Sequence, residues 1–161
     1  MQKAENKEIV LLLHNIRSVI NVGAIMRTAD ACGVSKIVFS GYTPTPVDRF
    51  GRLRKDFIKA SLGAEKSVPW EYRKTARTVL AEYKSVGFEI IALEQAENSV
   101  DYKDVKVTKP SLIILGNEPK GISKSILNKV DVIAEIPMKG KKESLNVSVA
   151  TGIFLFRILN I

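Results

Sequence analysis

The 161-residue chain is 45% hydrophobic and 26% charged, a composition that is typical of a globular protein and excludes a disordered or fibrous one. Its length fits a single domain, residues 1–161, with a core of its own. With 25 Lys and Arg against 17 Asp and Glu, the net charge is +8, which favours polyanionic partners.

Apolar runs of four to six residues, bounded by polar or turn-forming residues, predict strands that are buried in a parallel sheet. We expect strands at residues 8–13, 36–40, 66–69, 89–93, 111–115 and 132–136. We expect helices at residues 22–32, 55–61, 75–86, 123–129 and 147–159, and a loop at residues 94–110. Strands that alternate with helices predict an α/β fold: a mostly parallel sheet with helices on both faces.

Two of the polar residues after the first strand are candidates for a specific role. His14, the only histidine, is a conceivable base by its ordinary pKa, although we favour a structural role for it. Asn21 precedes the periodic apolar residues of the first helix, and it is therefore expected to be the N-cap.

The positive charge is concentrated in residues 48–77, which we call the basic segment. It holds nine basic residues against four acidic ones. Such a cluster suits contact with the phosphate backbone of a nucleic acid, and a solvated helix face is the alternative. Arg52, Arg54 and Lys55 are the candidates for such backbone contacts.

The last predicted helix is apolar on more than one face. A helix that packs on a sheet needs only one apolar stripe. We therefore expect a second side of this helix to be covered as well, by the same chain or by another subunit. Phe154 and Phe156 are the candidates for a subunit contact. Arg157 interrupts the apolar run well before the roughly 20 residues of a membrane span, so no membrane partner is expected.

Other classes of site are excluded by what the sequence lacks. Cys32 is the only cysteine, so neither an intramolecular disulfide nor a thiolate metal site is expected. The polar N-terminal residues are not followed by an apolar region of the kind that secretory signals contain, which predicts a cytoplasmic protein. No G-x-G-x-x-G follows a predicted strand, which argues against a dinucleotide site.

The carboxyl ends of the predicted strands carry the polar segments. In an open parallel sheet these ends meet at one edge, where ligands bind. Residues 116–121, G-N-E-P-K-G, have the glycine spacing of a phosphate-binding loop, but Ile122 and Ser123 follow where that loop needs Lys and then Ser or Thr. Backbone amides, a turn that Pro119 stiffens and the carboxylate of Glu118 remain as the chemistry of this loop.

Three segments together resemble the signature motifs of the SpoU/TrmH branch of the SPOUT RNA methyltransferases. They are N-V-G-A-I-M-R-T-A-D at residues 21–30, L-G-N-E-P-K-G-I at residues 115–122, and the stretch from Ile136 to Leu159. The resemblance runs from about Ile9 to the C-terminus. It implies a C-terminal trefoil knot, S-adenosyl-L-methionine as methyl donor, a homodimer, and a ribose 2′-hydroxyl of RNA as acceptor.

The resemblance also implies the site residues. The positions expected to bind the donor are Leu93, Gly116, Asn117, Gly121, Ile136, Ser144 and Leu145. The positions expected in the active site are Asn21, Arg27, Glu118, Ser144 and Asn146. Asn146 has an alternative reading as a plain helix N-cap, because Asn satisfies free amide donors there.

Arg27 matches the arginine that the family is described as using for catalysis, with the role of base among those considered for it. A guanidinium stays protonated in proteins, so we expect Arg27 to contact the RNA phosphate beside the target ribose and to orient the hydroxyl. A structural ion pair is the alternative. For the whole chain, tRNA is the expected substrate, and ribosomal RNA or a non-catalytic RNA-binding module are the alternatives.

Overall fold

The computed structural model describes residues 7–161, which are built around one seven-stranded sheet. The strands are β1 (Ile9–His14), β2 (Lys36–Ser40), β3 (Trp70–Arg73), β4 (Glu89–Leu93), β5 (Val100–Asp101), β6 (Ser111–Leu115) and β7 (Val132–Glu135). The helices are α1 (Val19–Ala31), α2 (Lys55–Ser61), α3 (Ala64–Ser67), α4 (Ala76–Ser85), α5 (Lys124–Leu127) and α6 (Val147–Leu159), with a 3-10 turn at Tyr102–Asp104.

The strands lie in the order β3-β2-β1-β6-β4-β7-β5, and each pair is parallel. In the centre, Leu11 of β1 is paired with Ile37 of β2 on one side and with Ile113 of β6 on the other. Because the strands are parallel, all of their carboxyl ends lie at one edge of the sheet. The α/β prediction is confirmed.

Helices cover both faces of the sheet. On one face Leu11 and Leu13 belong to a core with Ile25 of α1, Phe57 of α2 and Phe154 of α6. On the other face the alternate residues of the strands pack against α4 and α5 in a second core. The alternation follows from the pleat, because successive side chains of a strand point to opposite faces.

The third strand lies later in the chain than expected. Residues 64–67 form the short helix α3, and β3 begins at Trp70. Pro69 has no N–H to give to a sheet, so at this position only its carbonyl pairs, accepting a hydrogen bond from the Ile37 amide at 2.9 Å. The predicted strand at residues 66–69 is therefore wrong, and so is the uninterrupted loop at residues 94–110, which contains β5 and the 3-10 turn.

The N-cap of α1 is Ser18 rather than Asn21. The Ser18 hydroxyl accepts a hydrogen bond from the Asn21 amide at 3.2 Å, and the helix begins at Val19. The side chain of Asn21 is thereby free to point away from its own helix end. Among residues 7–161, no helix combines the length and the apolar character needed to cross a membrane.

Candidate active site

A cleft of about 550 Å³ lies at the carboxyl edge of the sheet, beyond the ends of β4, β6 and β7. Ten of the residues that the sequence predicted for donor binding or catalysis line it. They are Asn21, Leu93, Gly116, Asn117, Glu118, Gly121, Ile136, Ser144, Leu145 and Asn146. They come together because each follows a parallel strand or starts the helix after one, so the topology that aligns the strands also gathers these residues.

Glu118 is the centre of the hydrogen bonds around the cleft. Its Oε2 accepts from the Arg17 amide at 3.0 Å, and its Oε1 accepts from the Ser18 amide and from Asn21 Nδ2, each at 3.2 Å. Two of the three donors are amides at the start of α1, where the helix dipole also favours a negative charge. A single carboxylate therefore fixes the loop after β6 to the beginning of α1.

The same contacts set the protonation state of Glu118. Partial burial acts to raise its pKa, but the hydrogen bonds from the Arg17 amide, the Asn21 side chain and the Ser18 amide outweigh it, and the pKa lies below the usual value. Glu118 is consequently an anion at neutral pH and accepts from all three donors.

Asn146 extends this network to the last helix. Its Nδ2 donates to Asn21 Oδ1 at 3.1 Å, while its own Oδ1 accepts from the amide and the hydroxyl of Ser148, at 2.9 and 2.6 Å. Asn146 is thus the N-cap of α6 and at the same time a partner of Asn21. The N-cap interpretation of Asn146 is confirmed, and its role in the active site stays a prediction.

Asn117 forms the floor of the cleft between β6 and the neighbouring loops. Its Nδ2 donates to the Asn15 carbonyl at 3.0 Å and to the Tyr42 hydroxyl at 2.6 Å, and its Oδ1 accepts from the Lys120 amide at 2.9 Å. The side chain is buried and its polar atoms are satisfied. We infer that Asn117 holds the loop in shape, so that its backbone rather than its side chain faces the cleft.

Glu94 is a residue of the cleft that the sequence did not single out. Its Oε2 accepts from the Ile122 amide at 2.9 Å and its Oε1 from the Gln95 amide at 2.8 Å. Gly121 has a φ of +66°, and a Cβ there would overlap the Glu94 carboxylate. Position 121 therefore favours glycine. The only signal in the sequence was a carboxylate directly after a buried strand.

Ile136, Ser144 and Leu145 form the wall opposite the loop after β6. They belong to the segment between β7 and α6, which is held to the segment after β4 by a 2.8 Å hydrogen bond from Gln95 Nε2 to the Glu143 carbonyl. Leu145 and Ile136 are half-buried, and Ser144 is exposed at the mouth of the cleft. The wall thus combines apolar side chains with a polar rim.

Arg27 does not line the cleft. It lies six residues after Asn21 on α1, which is about 9 Å along the helix axis and on a different side of it. Its side chain is exposed, and within residues 7–161 it takes part in no ion pair. The described structure thus offers no structural partner that would account for this arginine.

His14 also lies outside the cleft. Its Nδ1 and the Ser40 hydroxyl are 2.9 Å apart, and Asn15 Nδ2 is 3.3 Å from its Nε2. Burial lowers the pKa of His14, so the imidazole is neutral at pH 7. These contacts join β1 to β2, in agreement with the structural role that we favoured.

The candidate RNA-binding residues are on the surface after β2. Arg52 Nε is 2.9 Å from Asp48 Oδ2, and Arg54 Nη2 is 2.7 Å from Asp56 Oδ2. Both pairs are solvent-exposed, and exposed ion pairs are weak, so a phosphate can compete for these guanidinium groups. Lys55 is exposed at the start of α2. In the described part of the chain, no group of His, Cys, Asp and Glu side chains has an arrangement that could hold a metal ion.

Comparison with known proteins gives the family of this chain. The model of the SpoU rRNA Methylase family matches residues 8–156. A tRNA (guanosine(18)-2'-O)-methyltransferase from Aquifex aeolicus is 35% identical over 150 residues, which are 93% of this chain and 68% of the relative. The structure of an AdoMet-bound rRNA methyltransferase from Sinorhizobium meliloti is similar with a TM-score of 0.86 at 30% identity, over 95% of this chain and 56% of the other.

The structure is that of an α/β protein with a cleft at the carboxyl edge of its sheet. The chain belongs to the SpoU rRNA methylase family. A TrmH family relative from Staphylococcus saprophyticus is 34% identical over 158 residues, and the chain spans 61% of that relative's length. The family resemblance of the three motifs is confirmed.

Proposed function

We propose that this chain transfers a methyl group from S-adenosyl-L-methionine to a ribose 2′-hydroxyl of RNA. The observation that carries the proposal is the cleft, in which the three motif segments meet through Glu118, Asn21 and Asn146. The residues that serve the reaction lie within residues 8–156, the part that the family model matches, and we treat them as one catalytic domain.

The cleft fits the proposed donor in size and chemistry. Its volume of about 550 Å³ is in the range of small-molecule sites. Leu93, Ile136 and Leu145 offer apolar contacts for a flat ring. Four carboxylates line the cleft against one lysine, a balance that suits a ligand with a sulfonium and an ammonium group. The acidic residues are Glu94, Glu118, Glu135 and Glu143, and the lysine is Lys120.

The residues of this chain have different roles in the proposed reaction, and each role follows from the position of the residue. The donor, when bound, supplies the electrophilic methyl group. Glu118, Asn21 and Asn146 hold the loop after β6, the start of α1 and the start of α6 in fixed relative positions. Ser144 is at the mouth, where its hydroxyl can meet the incoming ribose. Arg27 provides a cation for the neighbouring phosphate, and orientation of this kind can lower the barrier by several kcal/mol.

We propose tRNA as the substrate, and ribosomal RNA is the alternative. The Aquifex aeolicus relative is named for a tRNA guanosine, and the Sinorhizobium meliloti structure is that of an rRNA methyltransferase. The basic segment supports an RNA partner of either kind. Since the proposed acceptor is RNA, we also propose that the protein acts in the cytoplasm.

The test is calorimetry with S-adenosyl-L-methionine, followed by transfer of labelled methyl groups to purified tRNA and rRNA fractions. We expect stoichiometric donor binding and label in ribose of one fraction. RNA binding without donor binding would make the chain a non-catalytic RNA-binding module. Mass spectrometry of RNA from a strain that lacks the gene would then identify the nucleotide.

We also propose a homodimer built on α6. Val149, Ile153 and Phe156 recur with helical spacing and form an exposed apolar stripe, 49%, 37% and 45% accessible. Ile20, near the start of α1, is 75% exposed. Phe154 was expected in the interface, but it is fully buried in the core of its own chain. A second copy covering the stripe would account for apolar residues that the sheet does not bury.

Sedimentation at micromolar concentration should give about twice the 17.8 kDa of the chain. Phe156→Glu should convert the dimer to a monomer, because a carboxylate would have to be buried without a partner. Val86→Glu is the matched control, since Val86 is 68% exposed after α4 on the other side of the sheet. A wild-type monomer, or a dimer that survives Phe156→Glu, would contradict this interface.

The knot remains a proposal that the family supports. β6 lies in the middle of the sheet between β1 and β4, and α6 returns to pack beside α1. We propose that the segment from Ile136 onward passes through a loop of the preceding chain. An experimental structure whose chain straightens when pulled from both ends would contradict it.

The basic segment should act through the RNA backbone. Replacing Arg52, Arg54 and Lys55 by Gln should weaken RNA binding and lower the log–log salt slope by about 0.7 to 0.9 for each lost phosphate contact. Saturating RNA should largely restore turnover, because the cleft is untouched. Binding measured at several salt concentrations checks this. An unchanged slope would move the RNA surface to Lys139, Lys141 and Lys142, which are exposed beside the cleft.

A further inference from the structure

A short hairpin, residues 47–53, projects from the surface after β2, and we call it the tip loop. Val47 and Leu53 are joined by an antiparallel bridge, and the Asp48 amide donates to the Arg52 carbonyl at 2.8 Å. The tip loop follows the carboxyl end of β2, so it rises from the same edge of the sheet as the cleft. In the strand order, β2 is two positions from β6, which corresponds to about 10 Å.

Asp48 fixes the shape of the tip loop. Its Oδ1 accepts from the amides of Phe50 and Arg52 at 2.8 and 3.0 Å, and the Gly51 amide donates to its carbonyl at 2.9 Å. Gly51 has a φ of +76°, which closes the turn. Because these backbone amides are hydrogen-bonded within the loop, the tip loop has a defined conformation.

The tip loop presents Phe50 to solvent. The side chain is 66% exposed, although phenylalanine has no polar atom to offer to water. The guanidinium carbon of Arg49 lies 4.8 Å from its ring centre, and that of Arg52 lies 5.0 Å from it. Arg52 is also held by Asp48, whereas Arg49 forms no ion pair within residues 7–161.

An exposed aromatic ring beside two guanidinium groups has the chemistry of a nucleobase stack. Bases stack on aromatic rings and on guanidinium planes, and a free guanidinium also binds phosphate. A protein partner would be a second explanation for an exposed ring. The surrounding positive charge favours RNA, because the basic segment carries nine basic residues against four acidic ones.

We propose that Phe50 and Arg49 form a stacking platform for an unpaired base of the RNA substrate. This proposal rests on the proposed function and deepens it, because a base can stack on the tip loop only where the RNA is not in a continuous helix. The substrate class is then an RNA whose methylated nucleotide lies in a loop or bulge, with a second unpaired base a short distance along the strand.

The platform is connected to the cleft through the body of the protein. The Tyr42 hydroxyl accepts from Asn117 Nδ2 at 2.6 Å, and Tyr42 belongs to the segment that leads into the tip loop. A base held on Phe50 would therefore be held in a fixed relation to the floor of the cleft. This relation would select the ribose that enters the cleft.

The experiment compares Phe50→Leu with Phe50→Trp, since leucine keeps an apolar side chain and tryptophan keeps the aromatic face. The probes are an RNA hairpin with 2-aminopurine in its loop and a fully paired RNA duplex of equal length. Stacking on aromatic rings tolerates any base, so the hairpin need not be the natural substrate. Affinity and 2-aminopurine fluorescence of the Phe50 variants are measured at one salt concentration, and the affinity of Arg49→Gln is measured at several.

Phe50→Leu should weaken hairpin binding at least about fivefold, leave duplex binding within about twofold, and abolish the fluorescence change, whereas Phe50→Trp should retain all three wild-type properties. Arg49→Gln should weaken binding and flatten its salt dependence by about 0.7, the value for one single-strand phosphate contact. The matched controls are Val86→Ala and Lys109→Gln, both exposed and away from the tip loop.

Normal hairpin binding by Phe50→Leu, or an equal loss for hairpin and duplex, would overturn the platform. So would a wild type that binds neither RNA. If Phe50→Leu instead lowers self-association and leaves RNA binding intact, the ring is a protein contact and the proposal is wrong. Donor calorimetry and methyl transfer are recorded on the same preparations. Their failure in the wild type counts against the proposed function, whereas a normal Phe50→Leu counts only against the platform.

Discussion

Arg27→Ala should lose at least about 100-fold in methyl transfer and keep its fold and donor affinity. The arginine is exposed and does not line the cleft of its own chain, so its removal leaves no unpaired buried group and no change in the cleft walls. The loss would come from an acceptor that is no longer oriented, and small displacements at a reacting centre cost about that much. Arg27→Lys should recover part of the rate, because a lysine keeps the charge without the planar fork.

Single-turnover transfer at saturating RNA checks this prediction, with calorimetry of the donor alongside. Lys109→Ala is the control, since Lys109 is an exposed cation just before β6, at the amino edge of the sheet and outside the basic segment. A saturating RNA concentration should restore the turnover of the variant in which Arg52, Arg54 and Lys55 are replaced by Gln. It should not restore the turnover of Arg27→Ala. Full activity in Arg27→Ala would remove this residue from the reaction.

The position of Arg27 raises the question of which cleft it serves. If the homodimer forms, Arg27 of one subunit can approach the cleft of the other. Arg27→Ala is mixed with Glu118→Gln at a donor concentration too low to fill the weakened Glu118→Gln cleft. The mixture should then recover about a quarter of the wild-type rate, because half of the dimers are mixed and each has one intact site. No recovery on mixing would mean that Arg27 acts with the cleft of its own chain.

Glu118→Gln should weaken donor binding about tenfold or more and lower the free energy of unfolding by roughly 1–3 kcal/mol. A glutamine has one oxygen where the carboxylate has two, so its amide group would face an N–H of Arg17, Ser18 or Asn21. The loop after β6 and the start of α1 would then separate, and the cleft would lose its shape. Glu97→Gln is the control, because Glu97 is exposed and away from these contacts.

The pH dependence of the protein's stability should identify Glu118 as well. Because the pKa of Glu118 is lowered in the folded state, its contribution to stability is complete above the pKa of the unfolded chain. This contribution is lost as the pH falls through the lower, folded-state pKa. Acid titration of wild type and Glu118→Gln, followed by circular dichroism and donor calorimetry, should show this loss only in the wild type. Parallel acid transitions in both would contradict the assignment.

The sequence predicted the cleft better than it predicted the surfaces around it. Strand ends are marked by the change from apolar runs to polar residues, and in a parallel sheet these ends meet, so Gly116, Glu118 and Asn146 were placed together correctly. Glu94 was missed, because a carboxylate that caps backbone amides of a distant loop looks like an ordinary surface charge in the sequence.

Position along a helix face was harder to infer. Almost every side of α6 is apolar, so its sequence does not distinguish Phe154, which is buried in its own chain, from Phe156, which is exposed. The N-cap of α1 was placed at Asn21 because the helical periodicity starts there, but the Ser18 hydroxyl captures the free amide and releases the Asn21 side chain to Glu118. Tertiary packing decided the first case. In the second, the Ser18 cap is local, three residues from Asn21, and the Glu118 partner that it leaves to the Asn21 side chain is 97 residues away.

The hydrogen bonds of the cleft have a consequence for the folding of the protein during its synthesis on the ribosome. Asn21 and Glu118 are 97 residues apart, and Asn21 and Asn146 are 125 residues apart. Contacts with such long separations form late, because the intervening chain must first be ordered. A nascent chain that ends before α6 has its sheet strands but no complete cleft, so occupation of the cleft by a small molecule would report that the chain has been synthesised through α6 and has folded.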